Sequence, residues 1–167
     1  MEDEKKITLY EDDLYNKKEA AVETVQLVVF RLSSEWYGVE ITKAREVIEA
    51  GRITYLPSSP AYIAGIISLR GNILSVTDLK KLFGLPPEEL TELSRIVVVE
   101  SGTLETGLLV DEVAEVAVIP KNRIDPALAT LSHEKAEYLE GECRFDNKLM
   151  GVLRVENILK KRIQTDQ

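Results

Sequence analysis

One pattern of residues occurs twice along this chain of 167 residues. The segment Tyr62–Gly65 is matched 76 positions later by Tyr138–Gly141, and Gly38–Val47 is matched 69 positions later by Gly107–Val116. Two matches in the same order indicate a duplicated unit. Because each copy is too short to bury much apolar surface alone, we expect two small lobes that share an apolar interface.

The stretch between residues 62 and 79 predicts a β-hairpin in the first copy. Two apolar runs, Ile63–Leu69 and Ile73–Leu79, are separated by Arg70-Gly71-Asn72. Gly and Asn adopt positive φ at low cost, so this spacing favours a tight turn with Arg70 at its mouth. A guanidinium beside apolar surface gains from a bidentate carboxylate partner, and we predict that Glu46 fills this role.

Most of the remaining chain reads as short strands separated by turns, which favours small antiparallel barrels. The predicted strands are 24–32, 36–41, 95–100, 138–145 and 148–153. The predicted helices are 42–50, 79–83 and 155–163. Thr42 would cap the first of these helices and Asp78 the second. We expect residues 1–22 to form an acidic mobile tail, residues 23–160 a single domain, and residues 161–167 a second tail. Within the domain, the first lobe would span roughly 36–90 and the second roughly 95–153, with strands exchanged near the termini.

Composition and charge argue against several classes of function. The net charge is −8, from 29 acidic and 21 basic residues, and this disfavours a nucleic-acid partner or docking on anionic lipid. No run approaches the roughly 20 apolar residues of a membrane helix, so we expect no membrane insertion. The start of the chain lacks the features of a signal peptide, and one cysteine excludes an internal disulfide. We therefore expect a cytoplasmic protein.

The residues that usually carry catalysis or bind metals are sparse. One histidine, His133, and one cysteine, Cys143, cannot build a zinc site of the usual Cys/His type. No glycine-rich phosphate loop is present, so we expect no cofactor and no enzyme. One alternative remains at this point: the carboxylates of Asp111, Glu112 and Glu115 could serve a small hydrolase.

Several separated motifs resemble the CheW family of bacterial chemotaxis coupling proteins. The central one is Gly65–Gly71 followed by Val76–Leu79, and the resemblance extends roughly from residue 25 to residue 160. Further motifs fall in the family's order, namely Tyr37-Gly38-Val39, Glu46-Val47 and Gly107–Asp111. The chain departs from the family at Ser68, where Asn is usual, at Ser75, where Pro is usual, and in the less acidic Arg154-Val155-Glu156.

The resemblance implies a mainly β fold of two five-stranded SH3-like barrels with short helices and a C-terminal helix. It further implies a non-catalytic adaptor that links methyl-accepting chemoreceptors to the regulatory domain of the histidine kinase CheA. Such a protein would lie in arrays beneath the inner membrane and be largely monomeric when free. An adaptor of a parallel pathway, such as pilus motility, is the alternative within the family.

The resemblance and the duplication together suggest which residues bind partners. The kinase-binding candidates lie in the first lobe: Lys43, Arg45, Glu46 and Gly65. The receptor-binding candidates are Arg70 and the apolar residues expected at the lobe junction, where a groove would accept the apolar face of a helix: Ala44, Val47, Ile96, Val113 and Val116. A further surface is expected in the second lobe, around Glu112, Glu115 and the loop from residue 120 to residue 132.

Overall fold

The computed structural model describes residues 22–126 and 133–166. The predicted N-terminal tail therefore lies almost wholly outside the described residues. In the described ranges the chain forms ten strands, three α-helices and one 3-10 turn at Lys121–Arg123. The strands are β1 Thr24–Leu32, β2 Glu35–Glu40, β3 Ala44–Glu49, β4 Ile63–Leu69, β5 Asn72–Asp78, β6 Arg95–Ser101, β7 Leu104–Val110, β8 Glu112–Pro120, β9 Leu139–Phe145 and β10 Lys148–Leu153. The helices are α1 Leu79–Leu82, α2 His133–Ala136 and α3 Val155–Asp166.

The strands form two five-stranded sheets with matching topology. Sheet A has the order β8-β1-β2-β10-β9, and sheet B has the order β3-β6-β7-β5-β4. Each position in one sheet is taken in the other by the equivalent strand of the second copy, so β1 corresponds to β6 and β3 to β8. The predicted mainly β fold and the duplication are therefore confirmed.

The two copies exchange strands. Sheet A combines β1 and β2 of the first copy with β8, β9 and β10 of the second, and sheet B contains β3 to β7. The sheets therefore differ from the rough lobe ranges predicted, 36–90 and 95–153, although that prediction included an exchange of strands near the termini. One sheet is built from 24–40 together with 112–153, and the other from 44–110. Hairpin pairs such as β1 with β2 join neighbouring segments of one copy. The pairing of strands from different copies depends on packing between the lobes.

The segment predicted as a helix, 42–50, contains strand β3 instead. Side chains along β3 alternate between half-buried and exposed, which is the period of a strand. Glu46 pairs with Val98 and Ile48 with Ile96 in an antiparallel ladder. This tertiary pairing outweighs the capping signal of Thr42. At the other end of the chain, α3 continues through Asp166, so the predicted tail from residue 161 is helical instead.

The core has three apolar clusters, one in each sheet and one between the sheets. The shared cluster joins residues of both sheets with residues of α1 and α3, including Phe30, Val97, Leu108 and Ile158. Four aromatic rings run through it, Phe30 to Tyr37, Tyr37 to Phe83 and Phe83 to Tyr138, with centroids 6.1, 5.2 and 6.0 Å apart. The predicted shared apolar interface is therefore confirmed.

The glycine that is repeated in both copies lies where the chain that follows one end strand forms a bridge with the other end strand of the same sheet. Thr54, which follows β3, forms a backbone bridge with Ile66 of β4, and Asp125 forms the equivalent bridge with Glu142 of β9. A Cβ on Gly65, where φ is +150°, would lie 2.1 Å from the Thr54 carbonyl oxygen. The end strands of each sheet are thereby brought together, and a larger residue at this position would block the approach.

Candidate docking surfaces

The hairpin between β4 and β5 presents Arg70 to Glu46. Arg70 and Gly71 have φ values of 50° and 83°, as a two-residue turn of type I′ requires. The Arg70 guanidinium donates two hydrogen bonds to the Glu46 carboxylate, Nη1 to Oε1 at 2.6 Å and Nη2 to Oε2 at 2.6 Å. The predicted pair is therefore confirmed. The Arg70 side chain remains 66% exposed, so a partner can reach it.

A second ion pair lies next to the first on β3. The ladder between β3 and β6 has a bulge between Ala44 and Glu46, at Arg45. Arg45 Nη1 donates to Glu105 Oε2 at 2.8 Å, and both side chains are exposed. We call the four charged residues Arg45, Glu46, Arg70 and Glu105 the β3 charged surface.

The Glu46 carboxylate should respond to pH through Arg70. The hydrogen bonds and positive charge of Arg70 lower the pKa of Glu46 below its ordinary value of 4.5. Because the pKa is lower in the folded state, the pair contributes fully to folding stability above pH 4.5. That contribution is lost as the pH falls through the pKa of the folded state. In a carboxyl NMR titration, we expect Arg70→Ala to move the Glu46 midpoint upward. An unchanged midpoint would show that the pair does not form in solution.

Lys43, a kinase-binding candidate, lies away from the β3 charged surface. Its ammonium donates a hydrogen bond to Glu156 in the first turn of α3, and the two side chains are 25% and 35% exposed. Burial raises the pKa of Glu156, but the hydrogen bond and charge of Lys43, a backbone hydrogen bond and the charge of Arg154 together outweigh it, so the pKa lies below its ordinary value. Lys43 was expected to be exposed, whereas its side chain is half-buried and its charge is paired with Glu156.

Four of the receptor-binding candidates border the shared cluster. Val47 and Val116 are 42% and 50% exposed and lie opposite Val97 and Val28 of the shared cluster. Two further candidates are half-buried and pack on that cluster, Ala44 and Val113. We call these four residues the junction rim. Val47 and Val116 are equivalent in the two copies, so the rim takes one edge strand from each sheet.

Three other candidates are placed differently from the expectation. Ile96 is 0% exposed inside the core of sheet B, so it is a core residue and was wrongly assigned to the surface. Gly65 is buried against Thr54, which explains the glycine by packing and not by kinase contact. Arg70 joins Glu46, and residues alternate along a strand, so it lies on the opposite face of β3 from Val47.

Sequence reasoning missed a pocket at the end of sheet A. Its centre is Trp36, with Lys148 Nζ 4.1 Å from the ring centroid. The full lining is Val29, Trp36, Ala114, Glu115, Phe145, Lys148 and Met150. The offsets of 69 and 76 could have located it, because they place Ala114, Glu115 and Asp146 at the positions of Arg45, Glu46 and Arg70.

The three carboxylates of the hydrolase alternative have separate partners. Asp111 accepts a hydrogen bond from Lys80 Nζ at 2.6 Å and another from the Ser33 amide at 2.7 Å. Glu112 accepts from Arg31 Nε at 3.2 Å, while Glu115 lines the pocket of sheet A. They do not converge on one point, as an acid–base pair requires. Among residues 22–126 and 133–166, no group of three or more His, Cys, Asp or Glu residues could hold a metal ion.

The protein-family model of the CheW-like domain matches residues 26–162 of this sequence. This chain belongs to the CheW family. It is 32% identical over 146 residues to the chemotaxis protein CheW of Helicobacter pylori, covering 87% of this chain and 88% of that protein. It is 26% identical over 136 residues to CheW of Bacillus subtilis, covering 81% and 87%.

The CheW fold is also found by structure comparison. The crystal structure of the scaffolding protein TtCheW from Thermoanaerobacter tengcongensis matches with a TM-score of 0.73 and 37% identity, over 80% of this chain and 86% of that one. The described part of the chain contains no helix that is long and apolar enough to cross a membrane.

Proposed function

We propose that this protein is a cytoplasmic, non-catalytic scaffold that couples methyl-accepting chemoreceptors to the histidine kinase CheA. Its membership of the CheW family over residues 26–162 supports this role. The observation that carries the proposal is the presence of two docking surfaces of different chemistry, one charged and one apolar. An adaptor with two partners needs such surfaces, because a single shared surface would make the partners compete.

The β3 charged surface is the proposed site for the CheA regulatory domain. Arg70 and Arg45 are 66% and 48% exposed, and each is held in one direction by a carboxylate. Charges arranged in this way select a partner with the complementary pattern and accelerate association more than they raise final affinity. This surface therefore suits a specific and transient contact.

The junction rim is the proposed site for the receptor. Val116 lies next to another exposed valine, Val118, at 58% exposure on the same face of β8. These two side chains make an apolar strip on β8, and Val47 is the equivalent exposed valine on β3. An amphipathic helix can place its apolar face on such a strip.

The pocket at the end of sheet A is the proposed site for a second kinase molecule. Tryptophan is among the residues that most often anchor an interface, and Trp36 lines this pocket beside Lys148. Asp146 stands at the position of Arg70, and Ala114 at the position of Arg45. Because these charges differ, the two ends of the molecule would bind different surfaces of a partner.

Two charge substitutions should separate the partners. Arg45→Glu places a negative charge beside Glu105, and we expect it to weaken CheA binding about tenfold and leave receptor binding unchanged. Val116→Lys places a charge on the apolar strip, and we expect it to weaken receptor binding about tenfold and leave CheA binding unchanged. Isothermal titration of each variant against each partner measures both effects.

The control for these variants is Lys121→Glu, which changes an exposed ion pair with Glu23 outside both surfaces. It should bind both partners as the unmodified protein does. Equal weakening of both partners by Arg45→Glu and by Val116→Lys would contradict the two-surface arrangement.

A further inference from the structure

The start of β3 is tied to the helix that follows sheet A. Lys43 directly precedes β3, which is an end strand of sheet B and pairs with β6. Its ammonium bonds Glu156, the second residue of α3, and its carbonyl oxygen accepts the Glu100 amide at 3.0 Å. The connection therefore joins an end strand of one lobe to the helix that leaves the other lobe.

A comparable connection ties the other end strand, β8, to the helix that follows β5 of sheet B. The start of β8, the equivalent end strand of sheet A, is preceded by Asp111, which bonds Lys80 at 2.6 Å. Lys80 is the second residue of α1 and occupies, at the offset of 76, the position of Glu156. At the offset of 69 the counterpart of Lys43 is Glu112 and that of Asp111 is Thr42, so the strand members of the two pairs differ by one residue. In both lobes, however, an ion pair joins the start of an end strand to the helix that follows the other sheet, which argues for a positional role.

The strand that Lys43 holds in place carries both docking surfaces. Glu46 contributes to the β3 charged surface, and Ala44 and Val47 to the junction rim. A bulge interrupts the ladder at Arg45, and the backbone hydrogen bonds that hold the start of the strand lie before it, at Lys43 and Ala44. A side-chain anchor immediately before the bulge therefore has a large influence on where Glu46 and Val47 lie.

We propose that Lys43, through its ion pair with Glu156, is a positioning residue that sets the placement of β3 for both partners. This inference rests on the proposed function for its binding part only. In this proposal Lys43 acts through β3 and not by contact with either partner, and Glu156 belongs to neither docking surface. The placement of β3 can therefore be measured on the protein alone.

The first test uses amide hydrogen exchange on the full chain without partners. Lys43→Met removes the charge and keeps most of the apolar stem. We expect exchange in Glu46–Glu49 to accelerate about tenfold, while the equivalent strand β8 exchanges as before. Lys121→Met, which breaks the exposed pair with Glu23, is the matched control and should change neither strand. Unchanged exchange in β3 would overturn the proposal.

The second test is a charge swap with binding as the readout. Lys43→Glu should weaken both CheA and receptor fragments about tenfold, and adding Glu156→Lys should restore both to within about twofold. Loss of CheA binding alone, without restoration by Glu156→Lys, would make Lys43 a contact residue and overturn the proposal. If the unmodified protein binds neither fragment, the proposed function fails, whereas the exchange measurement still decides the role of Lys43.

Discussion

Replacement of Asp111 by alanine should lower the free energy of unfolding by about 3–5 kcal/mol, because it leaves a buried ammonium without a counter-ion. The side chains of Lys80 and Asp111 are only 5% and 9% exposed, and their polar atoms lie 2.6 Å apart. Asp111 also accepts the Ser33 amide at 2.7 Å. A typical domain has only about 5–15 kcal/mol of stability, so the loss would be a large share. Urea denaturation followed by circular dichroism measures it.

A double variant provides the control for this prediction. Lys80→Met with Asp111→Asn removes both charges and keeps an acceptor for the Ser33 amide. Replacing both members of a buried ion pair is far less costly than removing one. The double variant should therefore be more stable than Asp111→Ala, and an equal or greater loss would show that the pair is not what stabilises this site.

Gly65→Ala should also destabilise the fold strongly, by about 2–4 kcal/mol. The new Cβ would lie 2.1 Å from the Thr54 carbonyl oxygen, and φ is +150°, a value that side chains rarely adopt. The bridge between Thr54 and Ile66 would have to open. Kinase binding should fall only in proportion to the fraction unfolded, because Gly65 is buried.

The matched control is Gly51→Ala, since a Cβ at Gly51 would meet nothing within 4 Å. Its denaturation midpoint should equal or exceed that of the unmodified protein. If Gly65→Ala folds as stably as Gly51→Ala and nevertheless fails to bind CheA, Gly65 is a contact residue after all.

Local patterns were sufficient for the elements whose chemistry lies within a few residues. The positive φ tolerated by glycine predicted the turn at Arg70-Gly71, and Asp78 does cap α1, where its Oδ1 accepts the Lys81 amide at 3.3 Å. The pair of Arg70 with Glu46 was also predictable, because a fixed guanidinium needs a carboxylate and the first copy offered one in a matching motif. The duplication and the CheW family followed from motif spacing in the same way.

Patterns of apolar residues did not distinguish surface from core at the docking sites. Ile96 and Val116 are both aliphatic and both lie in strands, but one is 0% exposed and the other 50%. The difference arises because β6 is an inner strand of its sheet and β8 an end strand. The strand order is established by pairing between residues far apart in the chain, so it cannot be predicted from the local sequence pattern.

The amino-acid sequence alone was enough for the strand-rich fold, the repeat, the family and the charged hairpin, because these depend on backbone preference and side-chain period. Three features came only from the folded chain: how far the exchange of strands between copies extends, β3 in place of a helix, and the pairing of Lys43 and Lys80 with carboxylates. The physical reason is the same for all three. Two similar copies offer alternative pairings of similar local energy, and the choice is made by the shared core and by the ion pairs that form when the lobes meet.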